Sequence, residues 1–391
     1  MCIRLDVSLS SINKNKEELC GDTVEVVNRD DAEMIILSDG MGSGVKANIL
    51  STLTTKILGT MLKNGERLED CVETIAKTLP ISRERDLAYS TFAILSVYRN
   101  GETSLIEYDT PKSIFIHDGR NVERDFTERV IFDKKIREYH FKMEHDDCIV
   151  MMSDGVTHAG LGGEYSFGWG RTRVSEFVEA MFSGADVTSA RITSAVLNET
   201  GRLYRGRVGD DSTVVTASAV HRRDINIFTG PPQDRDDDEK LIKDFMDSSG
   251  SHIICGGTSA SIASRVLKKP LLPSLFYDDP DIPPTAELEG MDLVTEGVLT
   301  LNRAVSLMQT YNSGVPDSEF YRKLDAANGG SELAKMIIEG STDIHLFVGR
   351  AMNAAHQAKG LPFDLSIRMR LVDKIIEEGK KMGKTVNVHY Y

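Results

Sequence analysis

The sequence predicts an α+β fold over residues 1–220, followed by a smaller α/β unit with a mainly parallel sheet over residues 221–391. Three observations carry this. In the first half, strand-like stretches are grouped around hairpin turns and helix-like stretches come in pairs, a segregated pattern rather than strict alternation. Near residue 220 the texture changes: one short strand is followed by Gly230-Pro231-Pro232 and the acidic run Asp234–Glu239, a boundary leading into a solvated loop or helix start. Beyond it, strand–glycine–helix units succeed one another, the pattern of a parallel sheet with helical crossovers.

The elements follow in order. Val24–Val27 and Met34–Leu37 are short apolar strands, the second ending in Ser38-Asp39-Gly40. Val45–Lys63 spaces Ile49, Leu50, Leu53, Ile57, Leu58, Met61 and Leu62 as an amphipathic helix does, and Leu68–Leu79 is a second such helix. Thr91–Tyr98, Thr103–Tyr108 and Ser113–His117 read as strands, with Asn100-Gly101 a hairpin-grade turn. Cys148–Met152 is another buried strand, and it too runs into Ser-Asp-Gly, at Ser153–Gly155. Arg173–Phe182 and Val187–Thr200 read as helices, and Thr213–Ala219 as a Val/Thr-rich strand.

In the second half, Ile225–Phe228 is a strand. Ile253–Cys255 leads into Gly256-Gly257-Thr258-Ser259 and a helix to Leu267, and Asp292–Thr295 into Glu296-Gly297 and a helix to Met308. His345–Val348 leads into Gly349, and a helix, Ser366–Met382, and a strand, Thr385–Tyr390, follow. Pro273, Pro280, Pro283 and Pro284 mark a surface loop between units.

Composition narrows the function. Lys plus Arg is 46 against 60 Asp plus Glu, a net charge of −14, which argues against general nucleic-acid binding, because phosphate backbones call for a basic surplus. Cys2, Cys20, Cys71, Cys148 and Cys255 are scattered and form no C-x-x-C pair, a reduced, intracellular pattern without a zinc framework. The N-terminus has no secretory h-region, and no apolar run approaches the ~20 residues that span a bilayer. A cytoplasmic protein without membrane partners is the expectation.

The sharpest feature is a near-duplication, MIILSDGMGSG and IVMMSDGVTHAG, in which a buried strand delivers an Asp to its end. Asp210-Asp211 at the start of a third strand and Asp22 before a fourth add carboxylates. One Asp-Gly alone is ordinary turn chemistry. Carboxylates crowded at several strand ends repel one another, and a hard divalent cation such as Mg²⁺ or Mn²⁺ removes that repulsion.

Read together and in order, SDGMGSG, SDG and GDDSTVV resemble the metal-dependent protein phosphatases of type 2C. Met41, where a His follows the first Asp-Gly in other relatives, resembles the bacterial branch typified by stage II sporulation protein E. The resemblance covers residues 1–220 and implies a β-sandwich flanked by helices, with two Mn²⁺ or Mg²⁺ ions at one edge. It implies that Asp39 bridges the ions, that the Gly40 carbonyl binds the first, that Asp154 and Asp210 bind the second, and that Asp22 supports the first through water. Asp211 sits where many relatives carry Asn, and is either a further ligand or a supporting group. The implied reaction is hydrolysis of phosphoserine or phosphothreonine in a protein substrate by water activated between the ions. Met41 cannot give the leaving group a proton, which leaves a water on the metal or His158. Phosphate capture falls to Arg83, Arg85 or Lys46, and Gly160–Gly170 is either a mobile flap or an ordered loop packed by Phe167 and Trp169. Docking on the helix pair that begins at Val45 would regulate the site by moving Asp39 and Gly40.

No family motif marks the second half. Gly256–Ser259, with Glu296 and Gly349 from neighbouring units, is the best place for a small anionic ligand, because helix N-termini present backbone N–H groups. Sensing or partner docking that controls the phosphatase is the expected role. The alternatives are a phosphatase fold used as a non-catalytic sensor or scaffold, and a separate ligand-binding or catalytic role for residues 221–391.

Overall fold

Apolar alternation on the strands of the first unit, Met1–His221, builds two antiparallel sheets that face each other. The structure, a computed structural model, describes residues 3–78, 90–132, 134–184, 187–274, 282–351 and 363–391. The strands of this unit are β1 (Arg4–Ile12), β2 (Asp22–Asn28), β3 (Ala32–Asp39), β4 (Phe92–Tyr98), β5 (Glu102–Tyr108), β6 (Ile114–His117), β7 (Arg120–Val122), β8 (Thr127–Ile131), β9 (Lys134–Lys142), β10 (Cys148–Met152) and β11 (Ser212–Val220). Its helices are α1 (Gly44–Lys63), α2 (Leu68–Thr78), α3 (Asp154–His158), α4 (Gly170–Met181) and α5 (Ser189–Leu203). One sheet runs β1-β11-β10-β6-β7 and the other β2-β3-β4-β5-β9-β8.

Strand β3 shows why the sandwich forms. Successive side chains point to opposite faces. Ile35 and Leu37 enter the core between the sheets with Leu95, Leu105, Ile149, Met151 and Val215. Met34 and Ile36 pack on the other face with Leu50, Leu58, Val72 and Ile75 of α1 and α2. Buried on both faces, β3 reads as a continuous apolar run. Helix α5 covers the other sheet through hydroxyls: Ser189 Oγ donates to the Asp6 carbonyl (2.8 Å), and Thr193 Oγ1 lies 2.8 Å from Thr216 Oγ1.

The expected strands and helices of this unit are present, and the layered α+β architecture with them. Strands β1, β7, β8 and β9 were not expected. Their sequences are polar, and β8, at a sheet edge, buries only Ile131. Helix α1 corrects one expectation: Val45, Ile49 and Leu53 form an exposed stripe, with Ile49 50% accessible, while Leu50 and Leu58 face the core. The end of the second helix at Leu79 lies outside the described residues.

The second unit, Arg222–Tyr391, contains β12 (Asp224–Thr229), β13 (Ser251–Cys255), β14 (Leu272–Pro273), β15 (Ala286–Glu287), β16 (Leu293–Thr295), β17 (Asp343–Val348) and β18 (Thr385–Tyr390). With them go α6 (Asp238–Asp247), α7 (Gly257–Leu267), α8 (Val298–Ser313), α9 (Ser318–Leu324), α10 (Gly329–Ile338) and α11 (Phe363–Lys381). The sheet order is β14-β15-β16-β13-β12-β17-β18. Strands β16, β13, β12, β17 and β18 are parallel, while β14 and β15 add an antiparallel edge. The acidic run of residues 234–239 is no loop. It enters α6, whose Asp238 and Glu239 lie in the first turn, where the helix dipole favours negative charge. Pro280 lies outside the described residues. No helix among the described residues is long and apolar enough to cross a membrane.

One buried polar knot holds the sandwich. Glu107 on β5 is fully buried and pairs in register with Arg137 on β9. It accepts from Ser113 N (2.7 Å), Ser113 Oγ (2.7 Å), Arg137 Nε (3.0 Å) and Tyr139 Oη (3.1 Å). Removing the carboxylate takes the partner from a partly buried cation and from a buried hydroxyl. Glu107→Ala is therefore expected to lower the unfolding free energy by about 3–5 kcal/mol, read from the urea midpoint.

Candidate active site

Hydrophobic register brings two carboxylates face to face. Asp22 opens β2 and Asp39 closes β3, and the two are direct cross-strand partners. Like charges in that position destabilise a sheet. The chain then turns tightly under α1. A Cβ on Gly40 would lie 2.0 Å from the Ala47 carbonyl oxygen, so only glycine permits this approach. The Gly40 N–H donates to the Gly21 carbonyl (3.2 Å), and Asn48 Nδ2 donates to the Cys20 carbonyl (2.8 Å).

The second Ser-Asp-Gly is laced to the same place. Ser153 Oγ donates to Asp22 Oδ2 (2.7 Å) and accepts from Thr213 N (2.8 Å). Asp154 is the first residue of α3, and Gly155 fits closely, since a Cβ there would lie 2.1 Å from the Asp211 carbonyl oxygen. Asp210 and Asp211 part company. Asp210 Oδ1 lies 3.5 Å from Lys14 Nζ, whereas Asp211 turns towards Gly21 and accepts from Lys14 N (2.9 Å). The structure thus gives Asp211 a supporting contact with the backbone.

Burial, and then the charges of Asp22, Asp154 and Asp210, push the Asp39 carboxyl far above the carboxylate range. Burial raises Asp22 to about 6, against a lowering hydrogen bond from Ser153, and raises Asp154 against the lowering charge of His158. Burial and the Asp22 charge push the Cys20 thiol up to about 12. Buried Asp22 Oδ1 and Asp154 Oδ1 have no hydrogen-bond partner. Oxygen donors, orphaned lone pairs and crowded negative charge are the chemistry that suits a hard divalent cation. Among the described residues, no three His, Cys, Asp or Glu side chains converge on one point. A cation here would take few protein ligands and keep much of its water, as Mg²⁺ usually does.

Other expected residues fall differently. His158 is half exposed, with Nδ1 3.7 Å from Asp154 Oδ2. The loop 160–170 is internally hydrogen-bonded, Gly162 N to the Tyr165 carbonyl (3.0 Å) and Trp169 N to the Ala159 carbonyl (2.8 Å). Trp169 is buried and Phe167 is 90% exposed, so of the two aromatics of the ordered-loop alternative only Trp169 packs. Lys46 is exposed on α1, and Arg83 and Arg85 lie outside the described residues. Two basic residues that the motifs did not single out, Arg205 and Arg207, line a cavity with Asp210. Their signal was the spacing of Arg202, Arg205 and Arg207 immediately before Gly209-Asp210-Asp211.

In the second unit, the Gly256–Ser259 turn is largely engaged. Gly256 N and Gly257 N donate to the carbonyls of Thr295 (3.0 Å) and Glu296 (2.8 Å), and Ser259 Oγ accepts from Gly230 N (2.8 Å). The strand order reverses between β12 and β17, the place where open α/β sheets bind ligands. The guanidinium of Arg368 sits there, against Gly230, and donates to the carbonyls of Gly349 (3.2 Å) and Ala351 (3.0 Å).

The Ser153 hydroxyl makes a checkable contribution. Ser153→Ala leaves the Thr213 N–H and Asp22 Oδ2 without this partner inside the protein. It is expected to lower the unfolding free energy by about 1–3 kcal/mol with an unchanged urea m-value.

Residues 29–220 match the family model for stage II sporulation protein E (SpoIIE). The stage II sporulation protein E of Priestia megaterium is 22% identical over 223 residues, 56% of this chain and 37% of that protein. That of Bacillus subtilis is 24% identical over 191 residues, 47% of this chain and 22% of that protein. The chain spans well under half the length of both relatives. The solved PP2C phosphatase domain and regulatory-domain fragment of SpoIIE from Bacillus subtilis aligns with a TM-score of 0.47 at 20% identity, covering 56% of this chain and 64% of that one. Over residues 29–220, most of the first unit, the chain is similar to stage II sporulation protein E.

Proposed function

We propose that the first unit is a metal-dependent protein phosphatase that hydrolyses phosphoserine or phosphothreonine, with Mn²⁺ or Mg²⁺ as cofactor and two ions in the site. One observation carries this reading: Asp22 faces Asp39 across β2 and β3, and Asp154 and Asp210, from separate turns of the chain, lie near enough for their charges to act on Asp39 as well. Nothing in the packing of a sandwich calls for that repulsion. Asp39, the Gly40 carbonyl, Asp154 and Asp210 would hold the ions, with Asp22 and Asp211 behind them. The bound ions would acidify a water and neutralise the phosphoryl oxygens. The chain itself holds the carboxylates in place through Ser153 and the Lys14 backbone. His158, half exposed beside Asp154, is placed to hold a proton near the leaving oxygen.

The absence, among the described residues, of three converging ligand side chains favours a second reading, a non-catalytic sensor or scaffold on the same fold. Calorimetry with Mn²⁺ separates the two, since a scaffold that has lost the site takes up no ion.

For the second unit we propose a controlling role, by sensing or partner docking. Arg368 in the sheet crevice and the engaged amides at Gly256 and Gly257 leave a small anionic ligand at Gly256–Ser259 fewer donors than the sequence alone suggests. The exposed stripe of Val45, Ile49 and Leu53 on α1 supports control by docking on that helix, which touches Gly40 through Ala47.

The full chain is expected to hydrolyse a phosphothreonine peptide only when Mn²⁺ or Mg²⁺ is supplied. Asp154→Ala should lower that rate by at least about 100-fold. It should also raise the melting temperature of the metal-free protein, because it removes one partly buried charge from a repelling set. A metal-free melting temperature that falls instead argues against the crowded-carboxylate account.

A further inference from the structure

Beside Asp210 opens a cavity of about 530 Å³, within the range of small-molecule and side-chain binding sites. One wall is His158 with the turn 160–163; the other is the segment that carries Tyr204, Arg205 and Arg207. Both arginines are exposed, and among the described residues neither guanidinium has an ion pair or hydrogen bond. Their neighbour Arg202 contrasts with them: its guanidinium is engaged by Glu164 (3.1 Å) and Glu199 (2.6 Å). Neither arginine is matched by a paired carboxylate among the described residues, although the charge of Arg205 acts on Glu164.

The segment is also held in position. Tyr204 Oη donates to the Gly155 carbonyl (2.7 Å), one residue from Asp154. Arg205 itself adopts the left-handed region, with φ 51°, at a cost of about 1 kcal/mol for a residue other than glycine. Backbone strain of this kind gathers at functional sites. The arrangement places two arginines along the side of the acidic site, and guanidinium groups pair with carboxylates through two parallel hydrogen bonds.

We propose that this cavity seats the residues flanking the phosphorylated side chain, and that Arg205 and Arg207 select substrates with acidic residues there. The inference rests on the phosphatase reading for its substrate class. The cavity is far larger than one phosphate group, and only its Asp210 edge belongs to the carboxylate cluster. Arg205 and Arg207 are thus specificity residues for the peptide rather than groups acting on phosphorus.

The test uses the full chain and two fluorescent peptides that share one phosphothreonine. One peptide carries Asp on both flanks and the other Asn. Anisotropy with non-hydrolysable phosphonate versions is expected to show roughly fivefold tighter binding of the Asp peptide, a preference that shrinks with added salt. Arg207→Gln and Arg205→Gly should each reduce the preference, and the double variant should abolish it. Arg205→Gly relieves the left-handed strain, so its melting temperature should hold or rise, which separates lost recognition from lost folding. Equal affinity for the two peptides overturns the proposal, as does a double variant that keeps the preference. Equal loss of both peptides also overturns it, because the arginines would then hold the phosphate itself. Hydrolysis in Mn²⁺ is read separately. Preference without turnover upholds the docking site and sinks the phosphatase reading, while turnover without preference does the reverse.

Discussion

The repulsion between Asp22 and Asp39 is the constraint around which the first unit is arranged. The two are register partners, and that register is not free to slip, because β3 is buried on both faces. A shift by one residue would exchange Ile35 and Leu37 for Met34 and Ile36 on every contact. The hydrophobic core therefore holds two carboxylates opposite each other at a sheet end, against their own electrostatics. Ser153, the Lys14 backbone and the close turn at Gly40 are the surrounding devices that make this tolerable. Ser153 satisfies Asp22 Oδ2 and the Lys14 amide satisfies Asp211 Oδ1, while Asp22 Oδ1 and Asp154 Oδ1 stay without a partner.

How much of this was legible in sequence depended on whether a residue's role was local. Strands such as Cys148–Met152 and Thr385–Tyr390, and the helix from Leu68, declare themselves through short-range pattern. The Asp-Gly pairs did so too, since a turn after a buried strand is written in adjacent residues. Strands β1 and β9 escaped because their apolar positions are diluted by Ser, Lys, Arg and Glu whose partners lie far away in the chain. Ile49 and Leu53 illustrate the converse. Spacing marks them as a helix face, but only the packing of α1 on β2 and β3 says which face is covered. The partner of Asp211, the Lys14 amide, lies almost two hundred residues away in the chain, so no local pattern announces it. The clustering of Arg202, Arg205 and Arg207 before Gly209 is a local signal, but only the fold shows that Arg202 is paired and that Arg205 and Arg207 line a cavity.

The second unit sharpens the limits of arguing from architecture. Its parallel order reverses between β12 and β17, where an open sheet offers a crevice, yet this chain fills the crevice with the side chain of Arg368. The fold supplies the place and the sequence decides its content. The buried guanidinium meets backbone carbonyls of Gly349 and Ala351, so its charge-assisted hydrogen bonds fix the chain just beyond β17.

The close approach of Gly40 to Ala47 also bears on how the molecule breathes. Ser43, at the start of α1, makes no side-chain capping bond, and an uncapped helix end ordinarily frays before the rest of the domain opens. Here the first turns of α1 are pressed on the strand end at Gly40 and tied by Asn48 to the Cys20 carbonyl. The start of α1 is thus anchored from the side, by the strand end it presses on and by the Asn48 side chain, rather than by a cap at its tip.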